Sequence, residues 1–151
     1  MAYEFKAQRR VEFSETDMAG IMHYSNFFRF METAEHGFFR SLGFTIAPRQ
    51  FEAGQAKVGW PRVHASCDYH QPLRFEDLVE IHLLVAEKKS KAITYQFRFR
   101  KLNGGDGKEV ARGKLTVVCV GFDEASGGMK ATNIPPEIAS KIEPAPATML
   151  G

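Results

Sequence analysis

Residues 26–42 read NFFRFMETAEHGFFRSL, and this stretch limits what the rest of the chain can be. Phe27, Phe30, Met31, Ala34, Phe38 and Leu42 recur at three- and four-residue steps, with Phe28 and Phe39 beside the stripe and Arg29, Glu32, Glu35 and Arg40 between. The spacing predicts a helix of about 17 residues, roughly 25 Å long. Ser25 is suited to the N-cap and Gly43 to the position just past the end. Because apolar side chains cover much of its circumference, the helix must be wrapped on several sides at once.

The remaining sequence supplies a wrapper. Residues 5–13 alternate, with Phe5, Ala7, Val11 and Phe13 on one side and Lys6, Gln8, Arg10 and Glu12 on the other. After an irregular segment with Pro48, Gly54 and Pro61, the two-residue period returns: Val63, Ala65, Cys67, Tyr69; then Val79, Ile81, Leu83, Val85; then Ile93, Tyr95, Phe97, Phe99. NGGDG at 103–107 predicts a hairpin. It leads into a long strand from Glu109 to Phe122 with Val110, Thr116, Val118, Val120 and Phe122 on one face. ASGG at 125–128 predicts a turn, and Pro135 starts a short helix reaching Ile142. Strand, helix, then four strands without βα alternation excludes a doubly wound parallel sheet. The fold class is α+β, one antiparallel sheet curved around one helix. A single domain over 1–143 with a loose tail at 144–151 is expected.

Bulk chemistry narrows the partners. In 151 residues, 20 Lys and Arg face 18 Asp and Glu, a balance that points to neither nucleic acid nor a membrane surface. No apolar run has the length of a signal peptide or a membrane span. Cys67 and Cys119 fit no metal spacing, so a cytoplasmic protein with reduced thiols is expected. His64, Asp68 and His70 likewise match no recognised metal site, and the expectation is no metal and no cofactor.

The chemistry concentrates just ahead of the helix, in SETDMAGIMHYSN (14–26). A helix N-terminus offers unpaired N–H groups and a positive dipole end, which stabilise a developing oxyanion. With a thioester or ester carbonyl there, the N–H of Tyr24 or Ser25 polarises it, and Asp17 attacks or activates water. His23 either orients Asp17 or the acyl group, or serves as a structural hydrogen-bonding residue. Asn26 either holds the loop or is a plain first-turn residue. Glu32 and Glu35 are either second acids or, as expected, residues of a solvated or interface face. Lys88, Lys89 and Lys91 suit phosphate binding or plain solubility. Ser25 lacks the G-x-S-x-G elbow of a serine hydrolase.

At these residues the sequence resembles a known family. VEFSETDMAGIMHYSNFF, then CDYHQPLRFEDLVEIHL, then NIPPEI resemble the hotdog-fold acyl-CoA thioesterases of the 4-hydroxybenzoyl-CoA thioesterase type. The resemblance implies a five- to six-stranded antiparallel sheet around the long helix. It also implies a homodimer or homotetramer with active sites at subunit interfaces, and an acyl-CoA substrate whose coenzyme A is part of substrate and product. Carried over, the catalytic aspartate falls on Asp17 and the carbonyl-binding amide on Tyr24, with His23 and Asn26 beside them. Coenzyme A contacts fall on Val58, Gly59 and Trp60 and on Lys89, Ser90 and Lys91. The fold also hosts enoyl-CoA hydratases and dehydratases and non-catalytic acyl-CoA binding proteins, which stand as alternatives. The acyl group is not named by the sequence, since Phe27, Phe28, Phe30, Phe38, Phe39, Phe44 and Phe51 suit an aromatic ring or an aliphatic chain alike.

Overall fold

A computed structural model describes residues 1–48, 57–123 and 125–151; Phe51 and Gly54 lie outside the described residues. Helix α1 (Asn26–Ser41) forms where its periodicity predicts. It ends at Gly43, whose φ of +90° needs a residue without Cβ, and the Phe44 N–H closes the turn on the Phe39 carbonyl at 3.0 Å.

Five antiparallel strands enclose α1: β1 (Glu4–Arg10), β3 (Arg62–Tyr69), β4 (Leu78–Lys88), β5 (Ala92–Lys101) and β6 (Glu109–Val118), in spatial order β1-β4-β5-β6-β3. The core lies between sheet and helix. Phe27 meets Phe99 edge to face at 5.2 Å between centroids, and Phe38 meets Tyr95 at 6.2 Å. Ile81, Leu83, Val85, Phe97 and Val117 fill the remaining space. Helix and sheet approach closely at Gly113, where a Cβ would come within 2.0 Å of the Met31 methyl. Glycine there leaves room for the methionine.

Several expectations are corrected. The first strand stops at Arg10, because Glu12 and Glu15 close a reciprocal capping box around a 3₁₀ turn at Phe13–Glu15. Phe13 is then exposed, edge-on to Phe75 at 5.7 Å, while Val11 is buried. In β6 an extra residue against Phe99/Arg100 reverses the faces, so Ala111, Gly113, Leu115 and Val117 point at the helix in place of Thr116 and Val118.

The long last strand also divides at Cys119. Beyond it β7 (Val120–Phe122) joins a separate sheet, between β2 (Val58–Gly59) and β8 (Met129–Ala131). Helix α2 is shorter than expected, Pro136–Ala139. The tail is not loose. The Ala145 N–H bonds the Val85 carbonyl at 2.7 Å, Gln96 reaches the Leu150 carbonyl at 3.1 Å, and Arg112 reaches Gly151 at 2.7 Å. The sequence places these polar side chains on the outer sheet face, where the tail's carbonyls find donors.

No helix among the described residues is long and apolar enough to cross a membrane.

Candidate active site

The segment between the 3₁₀ turn and α1 is a tight loop built from backbone bonds. Thr16 and Met22 face each other as an antiparallel bridge, the Asp17 N–H bonds the Ile21 carbonyl at 2.9 Å, and the Gly20 N–H returns to the Asp17 carbonyl at 3.0 Å. Gly20 sits at φ +79°, where a side chain would be strained. Two anchors fix the loop. The Met22 N–H bonds the Leu73 carbonyl at 2.6 Å, and the His23 N–H bonds the Glu15 carbonyl at 2.9 Å.

Asp17 stands half-buried at the bend. Its Oδ1 accepts the Ala19 N–H at 2.8 Å, while Oδ2 has no partner among the described residues. Such a carboxylate is oriented yet retains an uncommitted oxygen.

At the helix start, the N–H groups of Asn26, Phe27 and Phe28 return to the carbonyls of His23, Tyr24 and Ser25 at 3.0, 3.3 and 3.2 Å. Ser25 does not cap with its side chain. Its hydroxyl meets His23 Nδ1 at 2.8 Å, and its N–H approaches the same nitrogen at 3.3 Å. Of the two amides the sequence offered, Ser25's is engaged, and Tyr24's has no acceptor among the described residues. His23 also stacks on the Tyr24 ring at 4.5 Å, so it orders the helix start and makes no hydrogen bond to Asp17 among the described residues. Asn26 is buried and donates from Nδ2 to the Glu15 carbonyl at 2.9 Å.

Asp17 and Tyr24 open on one cavity of about 410 Å³, also lined by Phe27, Tyr69, His70 and Leu73. Tyr69 and His70 were not singled out for this cavity by the sequence, although the alternation ending in CDYHQP places them at the end of β3. The Tyr69 hydroxyl donates to the Tyr24 carbonyl at 3.3 Å, and its ring meets Phe27 edge to face at 5.0 Å. Burial, with help from Cys67, pushes that phenol up to about 12, so it stays protonated. The arrangement combines a carboxylate, an amide at a helix start without an acceptor among the described residues, and an aromatic slot. Those parts suit attack on an acyl carbon.

The other predicted contacts lie elsewhere in the chain. None of Val58, Gly59, Trp60, Lys89, Ser90 or Lys91 lines the Asp17 cavity. Val58, Gly59 and Trp60 border a different groove of about 460 Å³ with Glu32, His36 and Arg62. Trp60 is largely buried, edge-on to Phe39 at 5.4 Å. Lys89, Ser90 and Lys91 form the β4–β5 turn, where the Ser90 carbonyl accepts from Ile134 and the Lys91 carbonyl from Cys119, at 2.9 and 2.8 Å. Lys88 is committed to structure: its Nζ donates to the carbonyls of Ala139 and Ile142, both at 2.8 Å. Glu35 overturns its expected place on a solvated or interface face of the chain. It is fully buried and paired with Arg62 through both carboxylate oxygens. Its position four residues after Met31 and three before Phe38, on the apolar stripe, was the signal for that burial. No group of three or more His, Cys, Asp or Glu among the described residues is arranged to hold a metal ion.

Comparison with known proteins gives this geometry a family. Residues 11–142 match the model of the thioesterase-like superfamily. A putative esterase of Aquifex aeolicus is 38% identical over 93 residues, 62% of this chain and 70% of that protein. The 4-hydroxybenzoyl-CoA thioesterase of Pseudomonas sp. strain CBS-3 is 28% identical over 114 residues, 74% of this chain and 79% of that one. Its solved structure superposes with a TM-score of 0.79, covering 92% of this chain and 99% of that chain at 24% identity. The structure of a gentisyl-coenzyme A thioesterase is 30% identical, with a TM-score of 0.71 over 89% of this chain and 99% of that one. The matched stretches of the first curated relatives span between 63% and 70% of those proteins' own lengths. The chain belongs to the thioesterase-like superfamily and carries its hotdog fold.

Proposed function

We propose that the protein hydrolyses the thioester of an aromatic acyl-CoA, releasing the carboxylic acid and free coenzyme A. The observation that carries this reading is that Asp17 and Tyr24, whose N–H has no acceptor among the described residues, line one aromatic-walled cavity. The thioester carbonyl oxygen accepts from the Tyr24 N–H, which strengthens its bond as negative charge develops there. Asp17 either takes a proton from water as hydroxide adds to the carbonyl carbon, or attacks that carbon and forms a mixed anhydride that water opens. In both routes the C–S bond breaks and sulfur leaves as the thiolate of coenzyme A.

Relatives that act on hydroxybenzoyl and gentisyl thioesters, and the edge-to-face Phe27–Tyr69 pair, favour an aromatic acyl group. His23 and Asn26 keep the helix start in place. The coenzyme A moiety is received by Val58, Gly59 and Trp60 and by Lys89, Ser90 and Lys91. Their distance from the Asp17 cavity within one chain supports a homodimer or homotetramer in which a second copy completes the site. The edge position of β3 is suited to such pairing. A cytoplasmic enzyme that needs no added cofactor follows from this reading.

Thiol release from a panel of benzoyl, hydroxybenzoyl, phenylacetyl, short and long aliphatic CoA esters tests it, with Asp17→Asn alongside. Hydrolysis of aromatic esters that the variant loses is expected. Enoyl-CoA hydration without thiol release, or binding without turnover, would overturn it.

A further inference from the structure

Midway along α1, Glu35 is fully buried beneath the groove bordered by Val58, Gly59 and Trp60. Its partner is Arg62, at the first position of β3. Arg62 Nη1 donates to Glu35 Oε2 at 3.3 Å and Nη2 donates to Oε1. The same Nη1 donates to the Trp60 carbonyl at 2.9 Å. One guanidinium therefore ties the central helix to the backbone that bears the candidate coenzyme A contacts. A planar fork between a buried carboxylate and a main-chain carbonyl is rigid in a way that lysine cannot reproduce.

We propose that Glu35 is a positioning residue: acting only through Arg62, it holds the Trp60 carbonyl and with it Val58 and Gly59 in the arrangement that receives the coenzyme A ester. The inference rests on the assignment of Val58, Gly59 and Trp60 to substrate. It adds that substrate affinity depends on a carboxylate that does not touch substrate.

The surroundings make the latch sensitive to protons. Burial pushes Glu35 up to about 7, against the opposing pull of Arg62. On its own helix Glu32 reaches Arg62 at 3.5 Å, and His36 stands 3.8 Å from Glu35 and 3.9 Å from Glu32. From β5 the Tyr95 hydroxyl, fully buried and without a partner among the described residues, lies within the field of Glu35 and stays protonated. Burial lowers His36 from its ordinary value, with Glu32 pulling the other way and Arg62 and Arg40 adding to the lowering. Above about pH 7 Glu35 is charged and holds Arg62 tightly; below it the ionic hold is lost.

Trp60 is the chain's one tryptophan, so its fluorescence reports this segment without substrate. Emission from the wild type is expected to titrate with a midpoint near 7, to do so still in His36→Asn, and to lose the titration in Glu35→Gln. In thiol-release assays Glu35→Gln and Arg62→Lys are each expected to raise KM about 10-fold while kcat stays within about 3-fold. The wild-type KM rises as pH falls from about 8 to 6, and the Glu35→Gln KM does not follow. Should one variant fail to fold, the other reads the same KM effect. An emission titration that survives in Glu35→Gln, or an unchanged KM in a folded variant, overturns the latch while leaving thioester hydrolysis intact. A wild type that releases no thiol removes the hydrolase reading and the positioning role together, whatever the fluorescence does.

Discussion

Asn26 and Glu15 are joined across eleven residues: the Asn26 amide donates to the Glu15 carbonyl at 2.9 Å, and that carbonyl also accepts the His23 N–H at the same distance. The bond straps the helix start to the turn before the Asp17 loop, so both ends of the loop refer to one carbonyl of a half-buried residue. Replacing Asn26 with Ala leaves the carbonyl with one donor fewer. Loss of about 1–3 kcal/mol of stability is expected. Because the loop would shift against the Tyr24 amide, kcat should fall about 10-fold, more than KM rises. Urea unfolding and steady-state kinetics on one preparation check both numbers.

Asp17→Asn should separate chemistry from folding. The asparagine Oδ1 still accepts the Ala19 N–H, so the bend survives and the melting temperature stays within about 2 °C of wild type. The side chain can no longer take a proton or form the anhydride, and kcat drops roughly 10²-fold or more. Thiol release under single-turnover conditions measures this; a variant with near wild-type turnover would remove Asp17 from the mechanism.

The lysines near the β4–β5 turn divide by role. Lys88→Met abandons the Ala139 and Ile142 carbonyls and should lose about 1–3 kcal/mol with KM for the acyl-CoA unmoved. Lys91→Met should do the reverse, raising KM with little change in stability. Thermal melts paired with kinetics distinguish the two.

Glu35 imposes a pH dependence on stability whose sign follows from its raised pKa. The folded state holds the proton up to about 7, against an ordinary value of 4.5, so the folded state binds more protons between these limits. Its contribution is therefore present below about 4.5 and lost as pH rises through about 7. Relative to Glu35→Gln, the wild type should lose on the order of 3 kcal/mol across that window. Chemical denaturation of both proteins at pH 5 and pH 8 checks it, and a constant difference would contradict the assignment. The charged pair thus orders the Trp60 segment at a cost to global stability.

The central helix was legible because Phe27, Phe30, Met31, Ala34 and Phe38 obey one period over several turns, and a local pattern of that strength outweighs context. β4 and β5 were legible for the same reason at period two. The reversal of faces in β6 was not, since a bulge against Phe99/Arg100 is a property of pairing and leaves no mark in composition. Nor was the passage of the chain at Cys119 into a second sheet, because Val117, Cys119 and Val120 read as continuous strand and the tertiary fold decides where the ladder changes partner. Tail residues 144–151 looked loose because their anchors, Val85, Gln96 and Arg112, are remote in sequence.

In the candidate site, the position of Asp17 and Tyr24 just ahead of the helix was legible, and the structure brings the two to one cavity. The commitment of Ser25 to His23, and the approach of Tyr69 from β3, depend on distances that no spacing encodes. For Glu35, position on the apolar stripe outweighs charge, and the Arg62 that makes its burial possible comes from β3.

Gly113 and Met31 come from opposite sides of the core and share a single volume. A lineage that adds even one methyl at 113 must move or shorten the side chain at 31; where the packing blocks both, the helix lifts from the sheet and carries Asn26, Tyr24 and Asp17 along. Drift at these two positions should therefore be correlated, and a strand glycine remote from the Asp17 cavity would record the history of the Asp17 loop.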